Sequence, residues 1–78
     1  MGITEDLADA LAKDAIEAAE TLGDETLIDQ IGKSLGDSST TTQEAFLTAV
    51  RVRLAERRAR QMLNAKIEAA LKAQSGND

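Results

Sequence analysis

Residues 30–43 read QIGKSLGDSSTTTQ, and this segment decides how many helices the chain contains. Leu35-Gly36 has the form of a helix end, because glycine readily takes the left-handed conformation that closes a helix. Residues 37–42 are all small and polar, which predicts a linker. Thr41 and Glu44 have the spacing of a capping box, in which a hydroxyl and a carboxylate bond to free backbone N–H groups. The segment therefore predicts the end of one helix and the beginning of the next.

The first helix is predicted upstream, over about residues 4–22. Thr4 is its expected N-cap, and Leu22-Gly23 is its expected end. Its apolar residues recur at spacings of three and four, which is typical of one helix face. The predicted stripe consists of Ile3, Leu7, Leu11, Ala15, Ala18 and Leu22.

A second helix is predicted over about residues 25–35, with Asp24 as its cap. Gly32 lies inside this helix, where glycine costs about 1 kcal/mol relative to alanine. We interpret this glycine as a sign that another helix approaches closely there. Together, the first two helices form a helical hairpin.

A long C-terminal helix is predicted over about residues 42–73, followed by a disordered tail at 75–78. Its first apolar stripe, formed by Phe46, Val50 and Leu54 with Leu47, suits packing on the hairpin. A second stripe lies nearly opposite and consists of Val52, Ala59, Leu63, Ile67 and Ala70. The predicted fold is all-α: a three-helix protein forming one domain over residues 1–74, in which the hairpin packs on the first half of the C-terminal helix.

The core expected from this composition is thin. Fourteen of the hydrophobic residues are alanine, and Phe46 is the only aromatic residue. Alanine favours helix but buries little area. In a chain of 78 residues, a single core is only marginally sufficient to stabilise the fold. A second subunit or a partner that adds buried surface is therefore expected.

Charge is distributed unevenly along the chain. Residues 1–44 hold 11 acids and two lysines, a net charge of −9, whereas residues 45–78 hold seven basic and three acidic residues, a net charge of +4. The two halves should attract each other, within one chain or between chains. Arg53, Arg57 and Arg60 form one row on the third helix, and we expect them to meet acids of the first half or of a partner.

Three motif-like spellings around residues 30–43 do not predict chemistry. The tripeptide at 32–34 resembles the end of a phosphate-binding loop, but Leu27 stands where that loop needs its first glycine. The Gly-x-Ser-x-Gly spelling at 32–36 resembles a nucleophile elbow, yet the chain has no histidine to act as base. A calcium loop beginning at Asp37 would have threonine where glycine and glutamate are required. No enzymatic activity, catalytic residue, cofactor or metal site is therefore predicted.

The alternative functional reading is a degenerate helix-turn-helix over residues 27–50. Part of that motif's pattern is present, in Ile31, Leu35, Gly36, Ser38, Thr41 and Ala45. However, Asp37 stands where the turn usually buries an apolar residue, and the recognition segment has no basic group for phosphate. This alternative would make the protein a small nucleic-acid-binding regulator.

The leading prediction is a non-enzymatic protein–protein interaction module that self-associates through its C-terminal helix. Its partner would be a second copy, as in a homodimer, or a larger protein that receives the helix in a groove. The predicted interface consists of Val52, Ala59, Leu63, Ile67, Ala70, Arg53, Arg57 and Arg60. The acidic start is not a secretory signal, and no apolar run approaches the ~20 residues that span a bilayer. The predicted location is the cytoplasm, without membrane association.

Overall fold

The computed structural model describes residues 2–76, and within that range it contains three α-helices. Helix α1 spans Ile3–Leu22, α2 spans Leu27–Ser38 and α3 spans Thr40–Gly76. Helices α1 and α2 form a hairpin, and both pack on α3. The predicted all-α, three-helix fold is confirmed.

The two ends of α1 are set by glycines. Gly2 is the N-cap, and its N–H donates to the Glu5 carboxylate at 3.1 Å, so Thr4, the predicted cap, lies in the first turn instead. At the other end, Gly23 has a φ of 66°, and its N–H and that of the next residue bond back to carbonyls of the last turn. The helix end predicted at Gly23 is therefore confirmed.

The buried face of α1 differs from the predicted stripe. The buried residues of this helix are Ala8, Ala12, Ala15 and Ile16. Of the predicted stripe, Ala15 is buried and Leu11 and Ala18 are partly buried, whereas Ile3, Leu7 and Leu22 are exposed. The stripe was wrong for these three because an alanine-lined face lets α1 approach Phe46 and Val50 of α3, which belong to the same buried cluster.

The turn between α2 and α3 is much shorter than predicted. Helix α2 begins at Leu27, two residues after the predicted start, and continues through Gly36 to Ser38. Ser39 is therefore the single residue between the two helices. Within residues 2–76, positive φ occurs at Gly23 and at no other glycine, so Gly36 is an ordinary helical residue. The predicted helix end at Leu35-Gly36 and the linker at 37–42 are wrong.

Ser39 explains how one residue suffices for the turn. Its backbone N–H closes α2 by donating to the Leu35 carbonyl at 2.8 Å. Its hydroxyl oxygen accepts the Thr42 N–H at 3.1 Å, which caps the beginning of α3. Ser39 is thus the N-cap, and the capping box predicted at Thr41 and Glu44 is wrong.

Two glycines of α2 face the first turns of α3. The Gln43 side-chain amide donates to the Gly32 carbonyl oxygen at 2.9 Å. A Cβ on Gly36 would lie 2.6 Å from that amide, so the missing side chain makes room for Gln43. Gly32 is buried against α3, but a Cβ there would meet only Leu47 Cδ2 at 3.5 Å, an ordinary contact distance, so this contact does not require the glycine that the predicted close approach was meant to explain.

The third helix extends beyond its predicted end at 73 and reaches Gly76. Residues 75 and 76, predicted as tail, are helical, and 77–78 lie outside the described residues. Because α3 runs past the hairpin, the chain measures 61 × 31 × 12 Å and has a radius of gyration of 17.3 Å. A compact domain of this length would have a radius of gyration of about 11.5 Å.

Candidate partner interface

The second half of α3 has no packing partner within the described chain. Every residue from 58 to 76, a segment that we call the α3 tail, is exposed. At 1.5 Å per residue, this segment is about 28 Å of helix. The hairpin instead packs on the part of α3 that holds the buried Phe46 and Val50.

The apolar residues predicted for the interface share one side of α3. Val52, Ala59, Leu63, Ile67 and Ala70 follow one another at helical spacings, and all five are exposed. The three large members have exposed fractions of 61% for Val52, 53% for Leu63 and 49% for Ile67. This side faces away from the buried face that holds Phe46 and Val50, because the two sets occupy different positions of the helical repeat.

Two further exposed apolar residues border this side and were missed by the sequence reasoning. Met62 is 69% exposed and Leu71 is 58% exposed. Met62 follows Ala59 by three residues, and Leu71 follows Ile67 by four. That spacing places each beside the predicted stripe, so helical periodicity was the signal that could have found them.

Arg53 holds α1 against α3 through a two-pronged contact with Asp9. Its Nε and Nη2 atoms donate to the two carboxylate oxygens at 2.7 and 2.8 Å. The hydrogen bond from Arg53 is the main reason that the pKa of Asp9 lies below its usual value, and the same bond raises the pKa of Arg53. This planar, paired geometry is specific to arginine and carboxylate.

The other two predicted arginines also form ion pairs. Arg57 donates to Glu20 of α1 at 2.6 Å, and Arg60 donates to Glu56 on α3 itself at 2.6 Å. The prediction that the arginines meet acids of the first half is confirmed for Arg53 and Arg57. These two side chains stabilise the α1–α3 contact, whereas Arg60 lies on the α3 tail with the apolar residues.

An open groove of about 650 Å³ lies between α1 and α3. Ile16 and Val52 are its apolar lining residues, and its charged residues are three acids and four bases. The ion pairs of Arg53, Arg57 and Arg60 all lie along it, so most of these charges already have partners. In the part of the chain that the structure describes, no group of three or more acidic side chains could hold a metal ion.

The α2–α3 corner does not have the geometry of a helix-turn-helix. That motif joins its helices by a turn of about three or four residues, whereas Ser39 alone separates α2 from α3. The first turn of α3 begins with three threonines and carries no basic side chain. The structure therefore adds no support for DNA readout by residues 27–50.

Comparisons of this chain with protein-family models, with curated proteins and with solved structures find no match. Among residues 2–76, none of the three helices combines the length and the apolar character needed to cross a membrane.

Proposed function

We propose that this protein is a non-enzymatic protein–protein interaction module that self-associates through the α3 tail. The observation that carries the proposal is the amount of exposed surface. The chain has an accessible surface of 6025 Å², whereas a folded monomer of its mass is expected to expose about 4,600 Å². The excess of about 1,400 Å² is the size that one subunit of an obligate homodimer buries, about 1,000–2,500 Å².

The kind of surface that is exposed supports the same proposal. In the described residues, the large apolar side chains that are buried are Ile16, Phe46 and Val50. The exposed large apolar side chains are Ile3, Leu7, Leu22, Val52, Met62, Leu63, Ile67 and Leu71. Each such residue gains roughly 1.5–3 kcal/mol when it leaves water. Burial of these side chains in an interface would therefore add favourable free energy that a single chain does not gain.

The non-enzymatic part of the proposal is supported by the groove between α1 and α3. It is open to solvent, and the carboxylates of Asp9 and Glu56 along it are bonded to arginines. Perturbed pKa values can mark a catalytic site, but structural ion pairs also perturb them, and the pKa shifts of Asp9 and Arg53 in this groove come mainly from their hydrogen bond to each other. The ion pairs of Arg53 and Arg57 have an evident structural role, because they join α3 to α1.

The test is to place charge on the apolar side of the tail. In the double variant Leu63→Asp/Ile67→Asp, four carboxylates would enter a dimer interface, and we expect light scattering to give the monomer mass. Circular dichroism should remain helical, since both residues are exposed in the single chain. A matched control is Gln61→Asp/Asn64→Asp, which adds the same two charges to the tail's polar side and should stay associated.

Two outcomes would count against the proposal. If the wild-type chain is a monomer at high micromolar concentration, self-association is wrong. If the Leu63→Asp/Ile67→Asp chain unfolds completely, these residues belong to the chain's own core and are not an interface. The predicted cytoplasmic location stays a prediction, and fractionation of the native host would test it.

A further inference from the structure

The outer side of α1 is a second exposed apolar surface. Ile3 is 75% exposed and Leu7 is 62% exposed. Ile3, Leu7 and Ala10 follow one another at spacings of four and three, so they share one side of the helix. Asp6 and Asp14 lie at helical spacings from this set and are also exposed. We call these five residues the α1 outer face.

The hairpin that carries the α1 outer face and the α3 tail have net charges of opposite sign. The α1–α2 hairpin, residues 2–38, holds ten acids and two lysines, a net charge of −8. The tail, residues 58–76, holds four basic residues and one acid, a net charge of +3. Two tails packed on each other would bring together like charges, whereas a tail packed on a hairpin brings together opposite ones.

An α3 tail could reach the α1 outer face only from a second copy. Helix α3 is continuous from Thr40 to Gly76, so the tail cannot turn back on its own hairpin. The side of α1 that faces its own α3 is the alanine side, with Ala8 and Ala12 buried, and the outer face lies elsewhere on the helix. Ile3 and Leu7 therefore stay exposed in a single chain.

We propose that the α3 tail of each copy packs on the α1 outer face of the other, which gives a reciprocal, two-fold symmetric dimer. Leu63 and Ile67 contact Ile3 and Leu7 of the second copy. Lys66, which lies beside that stripe, meets the acids of the outer face. The two-fold axis makes the two contacts identical. The dimer is therefore closed, because the tail and the outer face of each copy are both covered by the other copy. This inference rests on the proposed self-association and names the surface on which the tail docks.

Charge reversal tests the arrangement in the full chain. Arg60 and Lys66 flank the apolar stripe at helical spacings. The tail variant Arg60→Glu/Lys66→Glu and the hairpin variant Asp6→Lys/Asp14→Lys should each weaken self-association about tenfold or more, since each places like charges at both contacts of a homodimer. An equimolar mixture of the two should regain wild-type affinity as a heterodimer. In that species one contact pairs two reversed surfaces and the other pairs two natural ones.

A control separates local contacts from overall charge. Asp29→Lys/Asp37→Lys makes the same change in net charge on exposed positions of α2 and should leave the dimer's dissociation constant within about threefold of wild type. Circular dichroism checks that all variants keep their helices. Native mass spectrometry of chains with different mass tags identifies the heterodimer.

The outcomes distinguish this inference from the proposal beneath it. If the tail variant self-associates as tightly as wild type or more tightly, the tails pack on each other and the reciprocal dimer is wrong. If the two reversed variants form no heterodimer when mixed, the docking surface is not the α1 outer face. If the wild-type chain never self-associates, the proposed function itself fails.

Discussion

Replacement by alanine should stabilise the protein at Gly32 and have almost no effect at Gly36, the two glycines of α2. At Gly32, a new Cβ would lie 3.5 Å from Leu47 Cδ2, an ordinary van der Waals distance. Alanine gains about 1 kcal/mol over glycine in a helix interior. Gly32→Ala should therefore stabilise the protein by about 1 kcal/mol, which raises the melting temperature by roughly 4–8 °C for a domain of this size.

At Gly36 the stabilisation that alanine brings to a helix is opposed by a steric clash with Gln43. A Cβ there would approach the Gln43 amide to between 2.6 and 2.9 Å, so Gln43 must move. That movement breaks the 2.9 Å hydrogen bond from Gln43 to the Gly32 carbonyl, which contributes roughly 0.5–1.5 kcal/mol. The two effects nearly cancel, and Gly36→Ala should change the free energy of unfolding by less than about 0.5 kcal/mol.

The assay is thermal and urea unfolding followed by circular dichroism, with all variants at one protein concentration because association shifts apparent stability. The background variant Gln43→Ala isolates the cause. In that background, Gly36→Ala should regain the full stabilisation of about 1 kcal/mol, because the obstructing side chain is gone. A destabilising Gly32→Ala, or an unchanged effect of Gly36→Ala in the Gln43→Ala background, would refute the reasoning.

Three further predictions concern the cap, an ion pair and the core. Ser39→Ala should destabilise the protein by about 1 kcal/mol in urea unfolding, whereas Thr41→Ala should be nearly neutral because Ser39 provides the cap hydroxyl. NMR titration should find the pKa of Asp9 below its usual value in the wild-type chain and close to that value in Arg53→Gln. Because folding lowers this pKa, the ion pair of Asp9 and Arg53 stabilises the protein at neutral pH. That stabilisation is lost as the pH falls through the pKa of Asp9 in the folded state. Phe46→Ala, at a fully buried position, should cost about 3–5 kcal/mol and leave the chain largely unfolded by circular dichroism at 25 °C.

Some helix ends could be predicted from the local sequence, and others could not. Gly23 was predicted correctly because it takes the left-handed conformation that ends a helix, and no neighbouring side chain occupies the space beside it. The same Leu-Gly-Asp spelling at Gly36 was misleading, since the space left by that glycine is used by Gln43, a contact from another helix. Sequence alone could not distinguish a glycine that ends a helix from one that makes room for a neighbour.

The faces of the helices show the same limit. In α3 the large residues Phe46 and Val50 identified the core face correctly. In α1 the large residues were misleading, because the helix buries Ala8 and Ala12 and leaves Leu7 exposed. Hydrophobic periodicity gives weight to large side chains, whereas the fit of α1 to α3 depends on small ones. The exposed apolar side of the α3 tail could be named from sequence because it lies opposite a clear core face.

The most direct test of the central claim is the mass of the wild-type chain in solution, measured by sedimentation equilibrium from low to high micromolar concentration. The chain has a mass of 8.3 kDa. If two copies associate through the α3 tail, the fitted mass should rise with concentration and level off at about twice that value. A mass that stays at that of one chain over the whole range would contradict the account.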